Sequence, residues 1–243
     1  MIRSILLTLC MLLLSKAALA ECAINQNIMG AKYKMTRDIS THNKPDTRQM
    51  ILWRNTGQVA HEYPQTGITQ LWEQTSHGKL RLVQYFDQYG RGIEYQPEDI
   101  KSVNVENAWE IKRQLVSQSL INSMKLESSQ GNGCEKLESY SLKTNDKTII
   151  LKWLPEQKLV KFFSETSNGA KQTLELQEII AQQNIALNSF KSRANFHTTD
   201  YIDIGDNESD PFLMKMINLG FIEHGASGFY DAQGNQLGKH HHH

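Results

Sequence analysis

The stretch 137–180 constrains this chain most. It holds four short β-prone runs, over 137–143, 148–155, 159–166 and 171–179. Three turn signals separate them: Asn145-Asp146, Pro155 to Lys158, and Asn168-Gly169. Such spacing predicts an antiparallel meander. The last run shows the period. Leu174 and Leu176 alternate with Thr173, Glu175 and Gln177, which sets an apolar face against a wet one.

The N-terminal half repeats the pattern. Strand-like runs over 31–39, 49–54, 58–63, 68–74, 79–86 and 92–96 are broken by Pro45, Gly57, Pro64 to Gly67, Gly78, Gly90 and Pro97. Between the two meanders lies the one long helical pattern. Asn107 with Glu110 resembles a capping box. Ala108, Ile111 and Leu115, then Trp109, Val116 and Leu120, recur at helical spacing. This predicts one amphipathic helix over 107–124, with Lys112, Gln114, Ser117 and Gln118 on its polar side. Its apolar stripe needs a partner, and the concave face of the sheet supplies one.

After residue 180 the pattern loosens. The stretch 182–193 reads as polar and weakly structured, and 201–204 as a final strand. Ser209-Asp210-Pro211 starts a helix that ends near Gly220. The stretch 221–230 reads as an irregular tail. No repeat or low-complexity linker divides the chain, so one domain is expected over 21–239, with the tail 181–239 of undefined packing.

The termini give a compartment. Met1 to Ser4 is basic, 5–14 is mostly apolar, and Ala18-Leu19-Ala20 is a good cleavage site. Residues 1–20 therefore read as a cleaved secretory signal, which places the protein in the periplasm. Glu21 stands before Cys22, where lipid attachment needs a small residue. Cleavage leaves 223 of the 243 residues and removes Arg3 and Lys16, so 24 basic side chains face 26 acidic ones. A charge of about −2 gives no footprint for nucleic acid or an anionic membrane. No later segment approaches the roughly 20 apolar residues of a membrane span. Cys10 leaves with the signal. The remaining pair, Cys22 and Cys134, is expected to form a disulfide, as exported pairs usually do. The His run over 240–243 reads as an expression tag.

A signal followed by meander, amphipathic helix and meander resembles the periplasmic lipoprotein-carrier superfamily, the LolA/LolB-like fold. The likeness rests on the paired runs at 140–143, 149–155, 159–166 and 172–179, and on Trp153-Leu154-Pro155 ahead of a charged turn. It spans roughly 31–180 and matches no individual functional residue. It implies an α+β, mostly β fold: a strongly curved antiparallel meander, or β half-barrel. A helix would pack on or plug the concave face, and a helical tail would follow.

That fold makes an apolar ligand site the first expectation. Its candidate wall residues are Trp53, Trp72, Phe86, Trp109, Leu115, Leu151, Trp153, Phe162 and Leu176. They would enclose an acyl chain or an apolar peptide face. An ordinary filled core explains the same aromatics. The expected function is thus non-enzymatic binding of a lipid-like ligand or an acylated periplasmic partner, without a cofactor. Two alternatives stand beside it: a protein-interaction or envelope-stress module with a filled core, and a metal-binding or enzymatic protein using 199–230.

The third alternative has two candidate sites. Asp203, Asp206, Glu208 and Asp210 offer spaced oxygen ligands, though not at EF-hand spacing. An acidic turn at a helix start explains them as well. His224-Gly225-Ala226-Ser227-Gly228 lacks the spacing of a nucleophile elbow. His42, His61, His77 and His197 are scattered, with no metal-ligand spacing.

Overall fold

The computed structural model describes residues 24–39, 44–100, 107–207, 209–221, 229–230 and 236–237. The first meander runs β1 (Met29–Ile39), β2 (Asp46–Asn55), β3 (Gln58–Tyr63), β4 (Ile68–Gln74), β5 (Leu80–Phe86) and β6 (Arg91–Tyr95). Two short helices follow, α1 (Ala108–Gln114) and α2 (Gln118–Ser123). The second meander is β7 (Lys125–Gln130), β8 (Leu137–Lys143), β9 (Lys147–Leu154), β10 (Leu159–Ser167) and β11 (Ala170–Ile180). Then come α3 (Gln183–Lys191), β12 (His197–Asp200), a 3-10 turn over Tyr201–Asn207, α4 (Pro211–Asn218) and a small antiparallel pair, β13 (Phe229–Tyr230) and β14 (Gln236–Leu237).

The two meanders form one sheet. β1 pairs antiparallel with β2 on one side and β11 on the other, giving the order β12-β6-β5-β4-β3-β2-β1-β11-β10-β9-β8-β7. Among the described strands β12 alone pairs parallel, along β6. The sheet curls strongly, as the half-barrel reading expects. In a flat sheet, strands two places apart lie about 9.5 Å apart. Yet the Tyr33 hydroxyl on β1 donates to the Val160 carbonyl on β10 at 3.0 Å. Two bulges sit on adjacent strands here, at the register shifts between Lys32 and Tyr33 and between Val160 and Phe162. Bulges bend a strand and sharpen its twist.

The concave face carries the main cluster, including Met29, Tyr33, Leu52, Val59, Leu151, Trp153, Phe163 and Leu174. Leu115, Val116, Ile121 and Met124 of the α1–α2 segment press into it. A second cluster joins Ile68, Trp72, Leu82, Phe86, Ile93 and Tyr95 to Ile204, Leu213 and Met216 of the tail. On the convex face Trp53, Ala60 and Ile180 pack under Ala186 of α3. Gly30 belongs here because a Cβ would run into the Trp53 ring.

Four elements depart from the sequence expectation. The helix expected over 107–124 is broken: Leu115 takes φ 67°, capping α1, and the Ser117 hydroxyl opens α2 by accepting the Leu120 N–H at 3.1 Å. The Asn107 side chain makes no cap, and Glu110 instead accepts the Gln118 N–H at 2.9 Å. The stretch 182–193 holds helix α3, whose polar sequence reflects a seat that buries only Ala186. The expected strand at 201–204 is a 3-10 turn, because the strand forms earlier, at His197–Asp200. The tail also gains a definite course: α3 covers the convex face, β12 edges the sheet, and α4 returns on the concave side.

Candidate functional site

Register places side chains in rows across the concave wall. One row is Arg54, Val59, Trp72, Leu82 and Tyr95, and the next is Leu52, His61, Gln70, Gln84 and Ile93. The second contains three adjacent polar side chains, all buried. A buried polar group costs free energy unless it is hydrogen-bonded, so the partners matter.

Most partners are backbone carbonyls of the covering segments. The His61 Nε2 lies 2.7 Å from the Lys112 carbonyl. Burial, reinforced by the Lys112 charge, pushes the His61 imidazole down to about 3. It is therefore neutral at pH 7, and its Nε2–H donates to that carbonyl. The Gln84 amide donates to the Phe221 carbonyl at 3.2 Å. The Lys112 ammonium stands 4.0 Å above the centre of the Trp72 ring, a cation–π contact that desolvation strengthens.

Thus α1 turns partly polar toward the sheet. Lys112, Gln114 and Ser117, expected on the solvent side, are buried. Lys112 is held over the Trp72 ring, and the Ser117 hydroxyl is held by the Leu120 N–H.

Arg54 ties this arrangement together. Its guanidinium donates to the Arg113 carbonyl on α1 at 2.7 Å and to Gln26 at 3.3 Å. It also donates to the Gln157 and Lys158 carbonyls in the β9–β10 turn. One side chain thus joins the first meander, the helical cover and the second meander. Burial lowers its pKa to about 9, which leaves it charged at neutral pH. Arg113 lies near the C-terminus of α1, where carbonyls lack helical partners and the dipole favours a cation.

Seven of the nine expected wall residues are on this side. Leu115, Leu151, Trp153 and Leu176 belong to the main cluster, and Trp72 and Phe86 to the second. Trp109 is partly buried against both clusters. The other two stand elsewhere. Trp53 lies on the convex face, its indole N–H donating to Glu62 at 2.8 Å. Phe162 shares a register position with Lys152 and Glu175, while the neighbouring Phe163 takes the concave side. The bulge beside Phe162 shifts the alternation, which strand period alone does not reveal. The Arg54–His61–Gln70–Gln84 set gave no signal in the sequence, because polar strand residues read as the wet face.

The remaining candidates are structural or lie outside the described residues. Asp210 caps α4 by accepting the Phe212 N–H at 2.8 Å and pairs with Arg91 at 2.8 Å. Asp203 is exposed, while Glu208 lies outside the described residues, as does the 224–228 stretch. Among the described residues no three His, Cys, Asp or Glu converge as a metal set. Cys134 is disulfide-bonded. Cys22, its expected partner, lies outside the described residues, as do the signal 1–20 and the His run. Among the described residues no helix is long and apolar enough to cross a membrane. A surface pocket of about 200 Å³ lies at the bulges, lined by Leu137, Leu154, Lys161 and Leu176 among others.

No protein-family model matches the chain, and no curated protein sequence matches it. Similar solved structures include PNGF-II, at TM-score 0.37 and 9% identity over 73% of this chain. The chain spans about a third of PNGF-II, 32% of its length. An outer membrane lipoprotein-sorting protein domain from Vibrio parahaemolyticus aligns at TM-score 0.35 and 9% identity, over 69% of this chain and 92% of that one. A LolA superfamily protein from Nitrosomonas europaea aligns at TM-score 0.29 and 8% identity, over 65% of this chain and 87% of that one.

Proposed function

We propose that this protein is a non-enzymatic periplasmic carrier that binds a lipid-like or acylated ligand against its concave face. In this reading α1, α2 and α4 are covers that the ligand displaces. One observation carries it: a broad apolar wall is closed by short helices, the longest of them eight residues. Helices this short do not hold in water alone, so each depends on its seat. Removing a cover exposes the aromatic and aliphatic wall as a unit. Burying an acyl chain there returns about 0.8 kcal/mol per CH₂, enough for a chain of ordinary length to offset the lost contacts of one cover. Arg54 decides which end opens, because it holds the end of α1 through backbone carbonyls.

The test is a titration of the mature, tag-free protein with a fatty acid and with a phospholipid, read by tryptophan emission. Trp109 bridges both clusters, so uptake should shift its emission, and the Trp109→Phe variant should lose most of that signal. Saturable uptake supports the carrier. Absence of any shift and of any bound lipid contradicts it.

One observation favours a second reading, an interaction module with a filled core. Leu115, Val116, Ile121, Leu213 and Met216 already occupy the concave side and are buried. That reading predicts no lipid uptake, and binding of a protein partner that leaves Trp109 emission unchanged.

A further inference from the structure

Gln70 sits in the middle of the concave polar row, with His61 opposite on β3 and Gln84 opposite on β5. It is 1% exposed, and its Oε1 has no hydrogen-bond partner among the described residues. Buried side-chain oxygens are nearly always paired, and a lone one calls for a cause. A residue at this position serving packing alone would be apolar, as Trp72, two residues on, and Ile68, two residues back, are.

On β3, β4 and β5 the neighbouring rows are apolar, with Arg54 and Arg91 entering them only from β2 and β6. Val59, Trp72 and Leu82 flank the polar row toward one end, and Ile68 and Phe86 toward the other. An acyl chain lying along β3 to β5 therefore meets the polar side chains of this wall at one level. An amide oxygen accepts a hydrogen bond and repels an anion, and the Arg54 guanidinium in the next row disfavours a cation, so the group it suits is an uncharged donor.

We propose that the His61–Gln70–Gln84 row is the head-group rest of the ligand, with Gln70 Oε1 accepting a hydrogen bond from a hydroxyl or amide N–H on an acyl compound. This rests on the carrier reading and narrows its ligand class. When α1 lifts, His61 loses the Lys112 carbonyl, and its Nε2–H becomes a donor to the same head group, beside the Gln70 acceptor. The wall then distinguishes ligands by the head, while the chain supplies affinity. A site built around a hydrogen bond rejects an analogue lacking the partner more strongly than an apolar pocket rejects a missing methylene.

The test compares four probes with one chain length: a monoacylglycerol, a primary fatty amide, the free fatty acid and the methyl ester. The wild-type protein should bind the first two about tenfold more tightly than the ester. The glycerol and amide arms separate a hydroxyl source from an N–H source. The Gln70→Met variant should close the gap to less than about twofold, keep its ester affinity, and melt no lower than wild type, because the unpaired oxygen is gone. A wild-type protein that binds all four equally overturns this inference and leaves the carrier reading standing. So does a tenfold preference that survives in Gln70→Met. A Gln70→Met protein that melts well below wild type assigns Gln70 a structural bond and also overturns it. Failure to bind any probe removes both. The wild-type comparison needs no variant to fold.

Discussion

The Arg54 guanidinium donates to the carbonyl of Gln157 at 2.7 Å, across 103 residues of chain and between the two meanders. A flat sheet would hold β2 and the β9–β10 turn three strand spacings apart, about 14 Å. The contact therefore records the curl of the sheet, and it fastens α1 in the same stroke.

Arg54→Lys should expose this role. A lysine presents its donors from one point and cannot span the carbonyls of Gln26, Arg113, Gln157 and Lys158. Stability should fall by about 2–4 kcal/mol, measured by urea unfolding. Amides of α1 should exchange with solvent faster than those of β1, since the cover loosens before the sheet does.

His61 should make stability depend on pH well above the carboxylate range. Its folded pKa is about 3, against about 6.5 in an unfolded chain. The unfolded state therefore binds the proton first. The contribution is complete above about pH 6.5 and falls as pH drops toward 3, by about 1.4 kcal/mol per unit. Asp210, held below the usual carboxylate range by Arg91, and Glu138, held there by Lys136, act only at lower pH. His61→Gln should flatten the unfolding free energy between pH 6.5 and 5 while leaving the more acidic limb in place.

Leu115 sets two effects against each other. Its left-handed backbone costs about 1–2 kcal/mol that glycine would relieve. Its side chain is buried in the main cluster, and losing a buried leucine costs about 2–5 kcal/mol. Leu115→Gly should therefore destabilise by about 1–3 kcal/mol, visible as a lower urea midpoint. A stabilised variant would mean that the strain outweighs the packing.

Cys134 should pair with Cys22. The mature protein should then weigh less than its reduced form by two hydrogens, and trypsin should release a peptide joining the N-terminus to the 131–136 loop. Closing a loop of this length is worth about 5 kcal/mol, so Cys134→Ser should lower stability by a similar amount.

Much of this architecture could be read in advance, and the failures have physical causes. β9 and β11 alternate cleanly because one face is wet, as Leu174 and Glu175 show. β7 went unread because Leu126 is exposed along with its neighbours, so no period marks it. The break at Leu115 has no local signal, since leucine does not favour a left-handed backbone. The apolar half of the site was legible from Trp72, Trp109 and Trp153. The polar half was not, because His61, Gln70 and Gln84 become interior only when α1 and the tail fold over them. Pairing of β1 with β11 joins the two meanders in the interior of the sheet, and no pattern within either strand announces it.

The most direct test of the account is native mass spectrometry of mature, tag-free protein purified from a periplasmic extract, before and after addition of a monoacylglycerol. The account predicts one ligand per chain, retained in the gas phase, with Trp109 emission shifting as the ligand is extracted. A clean unliganded mass at a large excess of lipid, with unchanged emission, would contradict it and leave the filled-core interaction module.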